Sequence, residues 1–390
     1  MRAFLRGMGD PRIGARLWDG EEAARLPAPP AAGMVIHDRS TLWRLVANPL
    51  LNFGDDYSAG RIGIEGRLVD FMEAVCRAME NSRRCARRVT NRYGRGEANT
   101  ISASRDNIHH HYDLSNAFYQ MWLDREMLYT CAYYPRPEAT LEEAQIAKME
   151  LVCRKLRLRA GQSVVEAGCG WGGLARHMAR HYGVRVRSFN ISGEQIAYAR
   201  DRAREEGLDG LVEYVEDDYR NISGQYDAFV SVGMLEHVGV AHYRELGEVI
   251  HRCLTPEGIG LIHSIGQVRG EPMSPWLLKR IFPGSYPPTL GEMMEIFQPW
   301  GFSVLDVENL RLHYARTLEQ WLERFEANRE KVAEMFDDCF VRAWRLYLAG
   351  AVANFTVGSL QLFQVVFASS GNNQVPWTRS HLGLGGVADG

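Results

Sequence analysis

The chain predicts an α/β fold: a parallel, Rossmann-like sheet with helices on both faces, a helical and aromatic lid, and a small N-terminal αβ domain. Three observations predict it. Residues 163–173, SVVEAGCGWGG, run from an apolar stretch through an acid into a glycine turn, and LARHMARHYG continues at helical spacing. Apolar, strand-like segments then alternate with helical ones as far as residue 266. At 390 residues the chain is also long enough for more than one domain.

In chain order, WRLVANPLLNFGDDYSAGRIGIEGRLVDFMEAVCRAM reads as a small αβ module, with Leu68, Phe71, Met72, Val75 and Met79 on one helix face. NSRRCARRVTNRYGRGEAN follows, with six arginines between Arg83 and Arg95. This run sets the expected domains: residues 1–80, an arginine-rich linker at 81–106, and a catalytic domain at 107–390. Residues 107–156 are dense in aromatics (Tyr112, Phe118, Tyr119, Trp122, Tyr129, Tyr133, Tyr134) and read either as core or as a lid that excludes water. A first strand is expected in the apolar run that ends at Glu166, and others at 184–192, 211–220, 226–234 and 258–266, with helices such as GEQIAYARDRAREEG and AHYRELGEVIHRCL between them.

The glycine turn carries the chemistry. Its spacing is G-x-G-x-G (Gly168, Gly170, Gly172), whereas a dinucleotide fingerprint reads G-x-G-x-x-G and readies a helix N-terminus for pyrophosphate. Cys169 and bulky Trp171 between the glycines suit a ligand without phosphate there, of which S-adenosylmethionine is the common one. Ligands of such sheets sit outside the strand C-termini, where Glu166, Asn190, Asp218, Glu236 and His263 fall. The second strand ends in the amide Asn190 where an acid is usual for ribose hydroxyls.

Composition narrows the classes. The chain is 46% hydrophobic and 24% charged, with no run of 18 apolar residues. Its first residues are broken by Gly, Asp and Pro and hold no apolar core of signal-peptide length. Seven cysteines without a C-x-x-C pair argue against a zinc site or disulfide framework and point to a reducing cytoplasm. His109, His110 and His111 are adjacent, so they converge poorly on a metal, and none is expected. Residues 1–105 hold 17 arginines against 12 acids, a net of +5 within an overall −3. The arginine run reads as a solvated linker or as a contact with a polyanion. It lacks the interleaved aromatics of a single-strand nucleic-acid platform, which leaves phospholipid headgroups.

Nine motifs in order, HHYDLSNAFY, YTCAYY, LEEAQIAK, VVEAGCGWGGLA, VGMLEHVG, LIHSIG, IFPG, LHYARTL and SLQLFQVVFA, span about residues 107–370. In these the chain resembles the cyclopropane fatty acid synthase family, which includes mycolic acid cyclopropane synthases and fatty-acyl C-methyltransferases. The resemblance implies a class I methyltransferase sheet that takes S-adenosylmethionine. It implies cofactor contacts at Tyr129, Thr130, Glu166, Gly168 and Gly170 for the amino-acid end, and at Asn190, Ile191, Gln195, Asp218, Tyr219 and Arg220 for the nucleoside. Thr130, Ser188 and Asn190 stand where the family more often has serine, glycine and threonine. The resemblance also implies a bicarbonate ion held by Cys131, Glu236, His263, the backbone of Ile265 and Tyr314.

The implied reaction needs such a set. An alkene attacks the sulfonium methyl and becomes a carbocation, and closing a cyclopropane ring requires a base near the new methyl. The expected substrate is the cis double bond of an unsaturated phospholipid acyl chain, reached by an enzyme resting on the inner face of the membrane. No nucleic acid is expected as a partner; a homodimer is. Alternatives are a methyl-branched or methylene product from the same cation, a small-molecule or nucleic-acid methyltransferase, and a non-catalytic lipid-binding protein. The lid and the missing second-strand acid disfavour the second, and the glycine turn together with the bicarbonate set disfavours the third.

Overall fold

The computed structural model describes residues 5–6, 8–24, 32–81 and 115–383. The arginine run, the three adjacent histidines and the first part of the expected lid lie outside these residues. The described chain forms two compact units. Unit 1 draws on residues 1–97, 271–283 and 314–360, and unit 2 on 98–270, 284–313 and 361–390.

Unit 1 holds a four-stranded sheet in the order β2-β1-β3-β4: β1 (Gly14–Arg16), β2 (Glu22–Ala24), β3 (Ala32–Ile36) and β4 (Ile62–Gly66). The helix read from its apolar face is present at Leu68–Asn81 and buries Leu68 and Phe71. The long helix Asp338–Val357 packs on it and on the helix Pro49–Ser58. Buried Asp56 takes Arg44 at 2.9 Å and Arg61 at 2.6 Å, so its charge is matched twice. Stretches 271–283 and 314–360 fall inside the span expected as one catalytic domain, yet they fold with the N-terminal segment. Arg280 forks onto Asp55 of the N-terminal segment at 3.0 and 3.1 Å, and Phe282 meets Tyr347 edge-on, joining the two later stretches to each other.

Unit 2 is the expected α/β layer structure. Its sheet runs β10-β11-β9-β8-β5-β6-β7. The five anticipated strands are β5 (Ser163–Ala167), β6 (Arg185–Asn190), β7 (Val212–Glu216), β8 (Tyr226–Val232) and β9 (Leu254–Gln267). β5, β6, β7, β8 and β9 pair in parallel. Val164 and Val165 are both fully buried but belong to different apolar clusters, one on each face, which is why the strand reads as a continuous apolar run. Two further strands, β10 (Phe302–Asn309) and β11 (Leu360–Ser369), extend the sheet as an antiparallel pair. A capping box of Thr140 and Glu143 starts helix α1 (Leu141–Lys155). Helix α2 (Gly173–Tyr182) follows the glycine turn, and α3 (Gly193–Glu205) follows β6. No helix among the described residues is long and apolar enough to cross a membrane.

Candidate active site

The ends of β5, β6, β7 and β8 and the loop before α1 enclose a cleft with about 1070 Å³ of empty space, counted out to its open mouth. Tyr129, Thr130, Glu166, Gly168, Gly170, Asn190, Ile191, Gln195, Asp218 and Tyr219 line it. The glycine turn shapes the floor. Gly170 has φ +52°, and a Cβ built on it would meet nothing within 4 Å, so its missing side chain leaves open space. Gly168 differs: at φ +87°, its Cβ would lie 3.0 Å from that of Met234. That glycine serves the packing of the turn against the β8 loop. Behind the turn, Tyr119 packs on Trp171 at 4.8 Å and on Tyr129 at 5.6 Å, and Trp171 donates to Asn116 at 2.7 Å. The described lid aromatics therefore build the back of the cleft.

Buried ionisable groups lie beneath it. Lys148 of α1 is 1% exposed and donates to Thr130 Oγ1 at 2.8 Å. Burial lowers its pKa to about 8 against the opposing charges of Asp124, Cys131 and Glu166. Burial raises Glu166 to about 7, although Ser188 donates to it at 2.6 Å. Burial likewise raises Asp124 to about 6, against the N–H groups of Leu128 and Glu126. Asn190 donates to Gly170 O at 3.3 Å and Gln195 Oε1 at 2.7 Å, while its own oxygen accepts from Ser192 N–H. The amide thus ties the second strand end to the glycine turn and to α3, a task a carboxylate could not perform.

A second cluster lies beside the cleft. Glu236 sits in the 3₁₀ turn Leu235–His237, whose neighbours Met234 and His237 line the cleft. Its Oε1 accepts from Ile265 N–H at 2.5 Å, and its Oε2 is buried with no hydrogen-bond partner among the described residues. Burial raises Glu236 to about 7, against the N–H groups of Glu236 and Ile265 and the Ser264 hydroxyl. His263 pairs in register with Val232 of β8, is 1% exposed, and receives Gln364 at Nδ1. Its Nε2 is also buried without a partner among the described residues. Desolvation, with Lys148 and Lys155 nearby, pushes its pKa far below the usual imidazole range, so the ring is neutral.

Residues 99–365 match the signature of the mycolic acid cyclopropane synthetase family, more than half of the chain. The chain belongs to this family. A probable fatty acid methyltransferase of Pseudomonas putida is 34% identical over 384 residues, covering 94% of this chain and 95% of its own. The cyclopropane-fatty-acyl-phospholipid synthase of Escherichia coli is 40% identical over 264 residues, with 67% and 68% covered. The solved cyclopropane synthase MmaA2 from Mycobacterium tuberculosis matches with a TM-score of 0.65 at 30% identity, covering 68% of this chain and 98% of that one. The mycolic acid cyclopropane synthase CmaA1, solved with SAH and CTAB, gives the same TM-score and identity over 67% and 97%. The protein is an S-adenosylmethionine-dependent methyltransferase of the cyclopropane synthase type.

The methyltransferase cleft gathers every expected cofactor residue except Arg220. The Arg220 guanidinium instead faces the Asp218 carboxylate at 3.4 Å and lies over the Tyr219 ring. Ile265 N–H donates to Glu236 Oε1. Cys131 is fully buried, with Sγ 3.1 Å from Ala132 O. Tyr314 belongs to unit 1, where it packs against Trp321 and Phe355. Lys148, Gly233, Met234 and His237 line the cleft without having been singled out from the sequence. Lys148 could have been flagged, since a lysine amid the apolar positions of the LEEAQIAK helix needs a buried partner.

Proposed function

We propose that this methyltransferase adds a methylene to the cis double bond of an unsaturated phospholipid acyl chain, forming a cyclopropane ring with the help of a bound bicarbonate. One observation carries the reading: Glu236 Oε2 and His263 Nε2 are both buried and both lack a protein partner among the described residues. A small oxyanion answers both, accepting from the imidazole N–H and sharing a proton with a carboxyl whose pKa is near 7. The donor set fits bicarbonate on those grounds. The likeness to the Escherichia coli cyclopropane-fatty-acyl-phospholipid synthase supports the choice of substrate.

S-adenosylmethionine, when bound, supplies an electrophilic methyl group, and bicarbonate supplies a proton acceptor. The chain's own residues do the rest. The glycine turn lets the backbone approach the cofactor, and Lys148 fixes the Thr130 hydroxyl on the cleft wall. The aromatic back wall of Tyr119, Tyr129 and Trp171 excludes water and favours a passing positive charge. Ile265 N–H orients Glu236 so that its second oxygen is left to share a proton.

The test is mass spectrometry of lipids from cells expressing the chain, with ring, methyl-branched and methylene products resolved. Ring-bearing phospholipids are expected. Glu236→Gln should lower turnover at least about tenfold, since a positioned acid–base group typically contributes ~100-fold or more, while cofactor affinity changes little. Branched products, or full activity of Glu236→Gln in carbonate-free buffer, would overturn the reading.

A further inference from the structure

A buried polar chain leads away from His263, on the side opposite its unpartnered nitrogen. Gln364 on β11 places its amide nitrogen 3.1 Å from His263 Nδ1. Its amide oxygen accepts from Lys155 Nζ at 2.7 Å. Lys155, at the end of α1, also meets Glu308 Oε2 at 2.5 Å, and Glu308 is the register partner of Gln364 across β10 and β11. His263, Gln364 and Lys155 are each at most 3% exposed. The four side chains come from three strands and one helix.

The protons of this chain follow from which groups can only donate. A lysine ammonium has no acceptor, so the Gln364 atom facing it is the amide oxygen. The other end of the amide is then NH₂, which only donates. His263 Nδ1 must therefore be bare and accepting. A neutral imidazole carries one proton, and here it resides on Nε2. A bland alternative holds that Lys155 and Glu308 form an ion pair for stability. Glu308 is partly exposed, and such ion pairs contribute little to stability; the pair also leaves the ordered placement of Gln364 unexplained.

We propose that Lys155 and Gln364 are positioning residues that lock His263 in its Nε2–H tautomer, so that His263 donates to the reacting site and cannot accept a proton there. The inference rests on the bicarbonate reading for its use in catalysis, but the lock is a property of the chain itself. It removes His263 as the base for ring closure and leaves that task to the side of the site where Glu236 lies.

The deciding variant is Gln364→Glu. It keeps the shape and the Lys155 contact, but offers His263 an acceptor, which draws the proton onto Nδ1. Histidine-labelled protein is examined by ¹⁵N NMR, with the His263 signal identified by its loss in His263→Asn. The wild type should show protonated Nε2 and bare Nδ1, and Gln364→Glu the reverse. Turnover on phospholipid vesicles should fall at least about tenfold, as for a misplaced acid–base group, while calorimetric affinity for S-adenosylmethionine stays within about twofold, as befits a group acting only in the transition state. A wild-type signal with protonated Nδ1 overturns the proposal and requires no variant to fold. An inverted tautomer with full turnover overturns the positioning role. The carbonate dependence of the wild type, measured separately, tells that failure apart from a failure of the bicarbonate reading.

Discussion

Glu166 and Glu236 set the acid–base character of the site, and both owe it to burial. Each carboxyl is raised from about 4.5 to about 7, because the dry surroundings penalise the charged form more than their hydrogen bonds favour it. The consequence for stability has a definite sign. Between those two values the folded protein holds protons that the unfolded chain has released. Stability from these groups is thus fully present below about pH 4.5 and is lost as pH rises through about 7. Glu166→Gln removes one such group while leaving Ser188 an acceptor. Urea unfolding of this variant should show a flatter decline between about pH 5 and 8 than the wild type, as linkage requires. An unchanged slope would mean that Glu166 titrates as an ordinary carboxylate.

At the scale of the element, the strand–turn–helix at 163–182 separates two kinds of glycine. Gly168 and Gly170 both have positive φ, which costs another residue about 1–2 kcal/mol. Only Gly168 has a protein atom, Met234 Cβ, in the way of a side chain. Gly168→Val should therefore lower the melting temperature more than Gly170→Ala, for which the backbone cost alone predicts about 2–8 °C. Gly170→Ala places its methyl in the open cleft and should weaken S-adenosylmethionine binding in calorimetry. Native cofactor affinity in Gly170→Ala would show that the ligand does not approach this turn. The lid aromatics belong to the same scale: Tyr119, Tyr129 and Trp171 act as one packed wall, so a change in any of them moves the others.

For the whole molecule, the charge and the proposed substrate point to a lipid surface. Residues 1–105 carry a net +5, concentrated in Arg83–Arg95, which lie outside the described residues. Arginine near an anionic membrane contributes about 1 kcal/mol each, and salt screens it. We propose that this run docks the enzyme on the inner membrane face. Binding to anionic vesicles should weaken as salt rises to physiological levels. Replacing Arg83, Arg84, Arg87 and Arg88 with Gln should reduce binding and activity on vesicles while sparing cofactor binding. Sedimentation indifferent to salt and to these substitutions would assign docking to another surface.

Much of this was legible in the sequence, because it depends on short-range spacing. The glycine turn, the five parallel strands and the residues from Tyr129 to Tyr219 that line the cleft follow from apolar period, turn chemistry and family motifs. The sequence placed Glu236 and His263 at strand ends; the structure sets Glu236 in the turn after β8 and His263 inside β9, level with the last residue of β8. Tertiary structure alone decided the rest. β10 and β11 join the sheet through pairing between residues more than fifty positions apart, which no local period announces. Residues 271–283 and 314–360 fold with the N-terminal segment through contacts such as Arg280 with Asp55. Ile265 N–H is committed to Glu236. The tautomer of His263 is set by Gln364 and Lys155, 101 residues after it and 108 before it. A local pattern shows which face a side chain takes; which distant atom completes its hydrogen bonds depends on how the whole chain packs, and that decides where a proton sits.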